Sequence, residues 1–132
     1  MKHFIEPRRE KNDVKLMSPL TWAYIGDAVY ELYIRTHLTN ISNVKPHVLH
    51  KESIKYVKAG AQAEILEKLK NILTEEENEI IRRARNQENH HLPKNSSTAE
   101  YSKSTSFEAL IGYLYLSKNE KRLIEILSMC IE

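Results

Sequence analysis

Apolar residues recur at intervals of three and four positions along most of the chain, which is the spacing of one face of an α-helix. The first long helix is predicted to begin at Ser18-Pro19, where a capping serine precedes a proline at the first helical position. The run from Leu20 to about His37 is apolar on more than one side, as expected of a buried central helix. Residues 1–17 carry charges of both signs and predict a lead-in with room for a short helix.

The middle of the chain is also predicted to be helical. Asn40 to Asn43 ends the first helix, and Lys45-Pro46 opens a helical region that continues to about Leu73. Gly60 marks either a break or a close contact within this region. The apolar positions with helical spacing are Val48, Leu49, Ile54, Val57, Ala61, Ile65, Leu66 and Leu69.

Another helix is predicted to follow Thr74. Thr74 and Glu77 have the spacing of a capping box, and the acidic residues of the first turn complement the helix dipole. The basic residues 82–85 suit the C-terminal end of the same helix. Residues 86–97 are polar, contain Pro93 and predict an exposed loop.

The C-terminal part predicts two further helices. One begins at Thr98 or at Ser104 and ends at Leu116, and the last covers Glu120–Ile131. Neither strand-like alternation nor an internal repeat is found. The pattern therefore predicts an all-α protein with an N-terminal lead-in over residues 1–17 and a single domain over residues 18–132.

Composition supports this prediction and narrows the class of protein. The 132 residues are 41% hydrophobic and 29% charged, which is ordinary for one soluble globular domain. No apolar run approaches the roughly 20 residues needed to span a bilayer, and the charged N-terminus lacks a secretory signal. Cys130 is the single cysteine and cannot form an internal disulfide. We therefore expect a cytoplasmic protein without a membrane partner.

Charge is unevenly distributed although the net charge is only +2. Residues 44–70 carry six lysines against three glutamates, and residues 82–103 carry five lysines or arginines against two glutamates. Two basic segments permit binding to nucleic acid, whereas basic helix faces are more often simply solvated. Candidate RNA contacts are Arg82, Arg83, Arg85, Lys94, Asn95 and Lys103 around the predicted loop, and Lys45, His50 and Lys51 on the first basic helix.

Two short stretches carry the candidate chemistry, and they read Tyr-Ile-Gly-Asp-Ala-Val and Phe-Glu-Ala-Leu-Ile-Gly. Each places one carboxylate in an apolar run, beside a glycine or one turn away from it. A glycine inside a helix costs roughly 1 kcal/mol relative to alanine, and a close approach of two helices is the natural reason for it. If the helices cross near Gly26 and Gly112, Asp27 and Glu108 face each other and can hold a divalent metal.

Structural alternatives exist for each acid. Thr105 and Glu108 have the spacing of a capping box at a helix start, which gives Glu108 a purely structural role. Asp27 can be a buried aspartate that is satisfied by a neighbouring polar side chain. Glu31 lies one turn after Asp27 and is either a ligand in the outer coordination sphere or an ion-pair partner. Thr105 is a second candidate for the outer sphere.

These motifs resemble a known family. The run Leu20–Val29 resembles the signature helix of the ribonuclease III catalytic domain, and Ser104–Gly112 resembles the second acidic motif of that domain. Both occur in the family's order, and the absence of a double-stranded-RNA-binding domain before the chain ends resembles the Mini-III subfamily. The family usually has glutamates where this chain has Leu20 and Ala23, and an aspartate where it has Thr105. Only Asp27 and Glu108 therefore match as catalytic metal ligands.

The resemblance implies a ribonuclease III-type endonuclease domain, a helical bundle that forms a homodimer. It further implies cleavage of double-stranded RNA with Mg²⁺, for which Mn²⁺ can substitute. The implied substrate is a ribosomal RNA precursor of the large subunit, with a ribosomal protein as a candidate helper. The aromatic residues Trp22, Tyr24, Tyr30 and Tyr33 fit a dimer surface, although ordinary core packing explains them equally well.

Two functions of other classes remain open from the sequence. A non-catalytic RNA-binding or ribosome-associated module would share the fold, and Ala23 and Thr105 are the residues that favour it. A helical protein-interaction domain would bind no duplex RNA. Retention of both Asp27 and Glu108 favours the nuclease over the RNA-binding module, and salt-sensitive binding to duplex RNA would exclude the interaction domain.

Overall fold

The computed structural model describes residues 5–87 and 98–132, and within these ranges every regular element is an α-helix. The all-α prediction is thus confirmed for the described part of the chain. The elements are α1 (Lys11–Lys15), α2 (Pro19–Ile41), α3 (Pro46–Val57), α4 (Ala59–Leu69), α5 (Glu75–Arg85), α6 (Thr98–Leu116) and α7 (Glu120–Met129). None of the helices in these ranges is long and apolar enough to cross a bilayer.

Helices α2 and α6 form the centre of the bundle and make the most extensive contact in it. The predicted cap of α2 is present, because the backbone N–H of Leu20 donates to the Ser18 hydroxyl over 3.2 Å and proline opens the helix. Helices α4 and α5 pack on α6, α3 packs on α2, and α7 lies at the end of α6. Almost the whole C-terminal half of α6 is buried, which explains its apolar sequence.

The aromatic residues of α2 mostly belong to the protein's own core. Trp22 and Tyr30 are fully buried and pack edge-to-face on α6, with ring centroids 5.4 Å from Tyr113 and 4.9 Å from Phe107 respectively. The suggestion that these two side chains form a dimer surface is therefore wrong. Tyr24 differs from them, because 78% of its surface is exposed.

The N-terminal segment is joined to this core. Val14 of α1 is fully buried, and its carbonyl oxygen accepts a 2.8 Å hydrogen bond from the indole N–H of Trp22. Lys11 and Lys15 both form ion pairs with Glu76 at the start of α5. Helix α1 is thus held against the bundle by burial, by a hydrogen bond and by charge.

The long helical region predicted from Lys45-Pro46 is divided in two. Lys58 has the extended backbone angle ψ 153 and caps both α3 and α4, so the break precedes Gly60 by two residues. The change of direction lets α3 pack on α2 while α4 packs on α6. The predicted capping box is confirmed, with Thr74 and Glu77 each accepting a backbone N–H of the other.

Candidate metal and active site

The backbones of α2 and α6 touch where two glycines meet. A Cβ atom added to Gly26 would overlap the carbonyl oxygen of Glu108 and lie 2.8 Å from the backbone nitrogen of Gly112. A Cβ added to Gly112 would overlap the carbonyl oxygen of Trp22 and lie 2.9 Å from the backbone nitrogen of Gly26. Only glycine fits at either position, and this explains the presence of both glycines inside helices.

The same crossing brings Asp27 and Glu108 together. Asp27 is exposed and Glu108 is half-buried. Burial raises the pKa of Glu108 from 4.5 to about 8, and the negative charge of Asp27 and a hydrogen bond with it act in the same direction. Without a cation, the stable arrangement is a protonated Glu108 that donates to the Asp27 carboxylate. A pair of carboxylates that repel each other in this way is the kind of site that a cation stabilises.

Gln62 of α4 contacts Glu108 and was not identified from the sequence. Its side-chain amide is buried, and its Nε2 donates to Oε2 of Glu108 over 3.4 Å and to the carbonyl oxygen of Val57 over 3.0 Å. Its Oε1 accepts a 2.6 Å hydrogen bond from the hydroxyl of Ser104, one turn before Glu108 on α6. A signal existed, because Gln62 shares helical spacing with the apolar residues of α4 and thus occupies a buried face.

The two candidates for an outer coordination sphere have different surroundings. Glu31 is close enough for its charge to raise the pKa of Glu108, and its carboxylate also forms a 2.8 Å ion pair with Arg35. Thr105 is buried within α6, far from the helix start at Thr98. The alternative in which Thr105 and Glu108 cap a helix is therefore wrong, because both residues lie in the helix interior.

Arg82 and Arg83, two of the candidate RNA contacts, interact with different parts of the protein. Arg83 lies over the Trp22 ring, 4.7 Å from its centroid, and donates to the carbonyl oxygen of Lys15 over 2.8 Å. Its guanidinium group therefore contributes to the fold. Arg82 pairs with Glu79 over 2.5 Å on the protein surface.

The other candidate RNA contacts are spread over three elements. Arg85 ends α5 and is exposed, while Lys103 of α6 forms a 2.8 Å ion pair with Glu67. Lys45, His50 and Lys51 are exposed at the start and in the first half of α3. A shallow cavity of about 180 Å³ between α2 and α3 is lined by His50 together with Arg35. Lys94 and Asn95 lie outside the described residues.

The chemistry of the donor atoms fits a hard divalent cation such as Mg²⁺. Mg²⁺ is typically bound by one or two carboxylates and keeps several waters, and Asp27 and Glu108 offer two carboxylates. Within residues 5–87 and 98–132, no group of three histidine, cysteine, aspartate or glutamate side chains has the arrangement of a metal site. The arrangement therefore suits a cation that receives its remaining ligands from water or from a phosphate group.

Comparison with known proteins identifies the family. The Ribonuclease III domain model matches residues 20–119. A Mini-ribonuclease 3 of Thermoanaerobacter sp. (strain X514) is 47% identical over 122 residues, which cover 92% of this chain and 86% of the relative. That of Staphylococcus aureus (strain NCTC 8325 / PS 47) is 44% identical over 125 residues, 93% of either chain.

The fold is similar to that of a solved structure as well. A crystal structure of a Fusobacterium nucleatum protein matches with a TM-score of 0.80 and 34% sequence identity, covering 90% of this chain and 95% of that chain. The matched region contains both glycines and both acids of the crossing. The chain therefore belongs to the ribonuclease III family of endoribonucleases, in its Mini-ribonuclease 3 branch.

Proposed function

We propose that this endoribonuclease cleaves double-stranded RNA with Mg²⁺ held by Asp27 and Glu108, and that Mn²⁺ substitutes for Mg²⁺. The observation that carries the proposal is the meeting of these two carboxylates at a crossing where the helix backbones touch. Backbone contact sets the separation of the two helices, so the acids are positioned before any ligand arrives. When bound, Mg²⁺ supplies a Lewis acid that activates water and stabilises negative charge on phosphodiester oxygens.

The protein's own groups prepare the site in distinct ways. Asp27 is exposed and so accessible to a phosphate group, whereas Glu108 is half-buried against α2. Glu108 must lose its proton before it binds a cation, and the hydrogen bond from Gln62 favours the ionised carboxylate. Glu31 adds negative charge nearby, which further favours a cation at this position.

The RNA-binding role is proposed for the exposed basic residues. On α3 these are Lys45, His50 and Lys51, and Arg85 is an exposed cation at the end of α5. A-form RNA is contacted mainly through its phosphates and 2′-hydroxyl groups. Binding by so few cations should be weak and should decrease steeply with salt concentration.

A homodimer is proposed because one face of α2 exposes apolar surface next to the site. Tyr24 and Leu32 are 78% and 54% exposed, and Ala28 between them is also exposed. The spacing of four residues places all three on one face of the helix, and Asp27 precedes Ala28 in the chain. A second copy on this face would place two active sites close enough to cut opposing strands of one duplex.

The proposed biological substrate is a large-subunit ribosomal RNA precursor, acted on in the cytoplasm, with a ribosomal protein as a candidate helper that presents the RNA. The support is the membership of the Mini-ribonuclease 3 branch together with the site chemistry. Such a precursor offers long duplex stems, the shape that a phosphate-contacting protein recognises.

The test uses purified protein, long duplex RNA and matched single-stranded RNA in low-salt buffer with Mg²⁺ or with EDTA. We expect cleavage of the duplex RNA in Mg²⁺, no cleavage of it in EDTA, and no cleavage of the single-stranded RNA in either buffer. Asp27→Asn and Glu108→Gln should each lower the cleavage rate by about a hundredfold or more, because each removes a cation ligand. Glu64→Gln is the matched control on the exposed face of α4 and should cleave like the unmodified protein.

Two results would contradict the proposal. Near-complete turnover by Asp27→Asn or Glu108→Gln would exclude the assigned ligands. A duplex that is bound but remains intact in Mg²⁺ would exclude the assignment of catalysis to this site and favour a binding role.

A further inference from the structure

We propose that Gln62 is a positioning residue for Glu108, held in its own orientation by Ser104. In this role the buried amide fixes one oxygen of the Glu108 carboxylate and leaves the other oxygen for the cation. The inference rests on the proposed function, because it assumes that Glu108 is a ligand. It assigns a task to a residue of α4, an element that contributes none of the matching acids.

The hydrogen bonds determine which way the amide of Gln62 points. The carbonyl oxygen of Val57 can only accept hydrogen bonds, and Oε2 of Glu108 likewise accepts, whether Glu108 is ionised or carries its proton on Oε1. These two oxygens lie 3.0 and 3.4 Å from the same nitrogen of Gln62. The hydroxyl of Ser104 can donate, and it lies 2.6 Å from the amide oxygen. The reverse orientation would set the amide oxygen against two acceptors. Three partners therefore select one orientation.

Burial indicates that Gln62 is present for more than packing. Only 1% of its surface is exposed, and it occupies the apolar face of α4 with Ile65, Leu66 and Leu69. An apolar side chain of similar size would fill this space without the cost of burying an amide. The hydrogen bonds of the amide are what offset the cost of burying it, and one of them goes to Glu108, the candidate ligand itself.

The position of Gln62 links the site to the junction of α3 and α4 and to the middle of α6. Val57 is the last residue of α3, just before the break at Lys58, and Ser104 and Glu108 are one turn apart on α6. The amide thus joins the end of α3, the start of α4 and the middle of α6 at one point. A carboxylate anchored in this way has fewer rotamers to lose when it binds a cation.

The experiment compares Gln62→Met with the unmodified protein. Methionine has nearly the same length and volume but cannot replace these hydrogen bonds. Two quantities are measured: the affinity for Mn²⁺ as the probe, from the electron paramagnetic resonance signal of free Mn²⁺, and the Mg²⁺ concentration that gives half-maximal cleavage of duplex RNA. We expect Gln62→Met to weaken Mn²⁺ affinity and to raise the Mg²⁺ requirement, each about tenfold. The rate at saturating Mg²⁺ should change less.

Tyr30→Phe is the matched control for a lost buried hydrogen bond. It removes the 3.2 Å bond from the Tyr30 hydroxyl to the carbonyl oxygen of Tyr56, one residue before Val57, and does not touch Glu108. It should leave both metal measurements unchanged even if the protein melts at a lower temperature. Ser104→Ala should shift both measurements in the same direction as Gln62→Met by a smaller factor, and it decides the question if Gln62→Met does not fold.

The outcomes separate this inference from the proposed function. If the unmodified protein cleaves duplex RNA but Gln62→Met binds Mn²⁺ as tightly as the unmodified protein does, the role of Gln62 is excluded and the proposed function stands. Equal weakening by Gln62→Met and Tyr30→Phe would also overturn it, since Gln62 would then act through stability. A Mn²⁺ affinity that depends on Gln62 in a protein that leaves duplex RNA intact would support the positioning role and overturn the proposed function.

Discussion

The carboxyl group of Glu108 is the residue whose chemistry depends most on its surroundings. Burial and the charge of Asp27 keep the proton on Glu108 up to about pH 8. A group with a raised pKa in the folded state stabilises the fold fully below its unfolded pKa, here 4.5. That contribution is lost as the pH rises toward 8, because over this range the unfolded chain releases the Glu108 proton while the folded protein still holds it.

This proton should make the stability of the protein depend on pH. In EDTA, the unmodified protein should lose stability between about pH 5 and pH 8, whereas Glu108→Gln should lose much less. The neutral amide imitates the protonated acid and can donate to Asp27 at every pH. At pH 8 the variant should be more stable by roughly 4 kcal/mol, and below pH 4.5 the two should converge.

Urea unfolding at a series of pH values measures this difference. Glu64→Gln, at an exposed position, serves as the control and should follow the unmodified protein. Parallel stability curves for Glu108→Gln and the unmodified protein would contradict the account of the buried proton.

The sequence predicted that Asp27 and Glu108 would meet, but it did not predict the contact of Gln62 with Glu108. Asp27 and Glu108 were predictable because each stands in an apolar run beside or near a glycine. Gln62 was not predicted because its partner lies 46 positions away, and no local pattern links the two. Ala23 is buried, so a position that the family fills with an acid belongs to the core here.

At the scale of the elements, the crossing of α2 and α6 is the feature on which the site depends. Gly26 and Gly112 each contact the backbone of the opposite helix. The contact is reciprocal, so a side chain at either position must separate the helices. Separation would disrupt the buried aromatic pairs on α2 and α6 and the alignment of the two acids.

The second prediction concerns this crossing. Gly112→Ala should destabilise the protein by about 3 kcal/mol or more, despite the better helix propensity of alanine, because the new methyl group overlaps a carbonyl oxygen. Gly60→Ala is the matched control. Its added carbon would meet only the flexible end of the Glu100 side chain, at 3.0 Å, so its effect should stay within about 1 kcal/mol.

Thermal unfolding of the two variants provides the comparison. Similar melting temperatures for Gly112→Ala and the unmodified protein would show that the helices separate at little cost. Such a result would exclude backbone contact as the feature that fixes the separation of α2 and α6.

The elements were predictable where local signals are strong and less so where packing decides. The start of α2 and the capping box of α5 follow from side chains that bond their own backbone. The break at Lys58 has no comparable signal, because the chain turns there to let α4 reach α6. Thr105 and Glu108 had the spacing of a cap, yet helix α6 begins seven residues earlier, at Thr98.

At the scale of the whole molecule, the exposed face of α2 determines the proposed assembly. Trp22 and Tyr30 are core residues, so Tyr24, Ala28 and Leu32 are the side chains of α2 that form the proposed dimer surface. Burial could not be predicted for these aromatics, because α2 is apolar on several sides and the sequence does not indicate which side lacks a partner.

The third prediction tests this face. Tyr24→Glu should weaken dimer association at least tenfold, since a charge would be buried against a second copy, and should leave the fold intact because Tyr24 is exposed. Ile124→Glu is the control, at an exposed apolar position on α7. Sedimentation velocity at micromolar concentration measures both. Identical sedimentation of the two variants would remove Tyr24 from the interface.

The glycine contact between α2 and α6 also bears on how the protein can be re-engineered. The separation of the two helices that carry Asp27 and Glu108 is set by contact between main-chain atoms, which no side-chain substitution in the surrounding core replaces. The outer layers can therefore be redesigned for heat resistance without altering the crossing that carries the proposed site. The proposed metal ligands can likewise be exchanged on helices whose separation stays constant. Random libraries should thus tolerate side chains least at positions 26 and 112, where the backbones of the two helices touch.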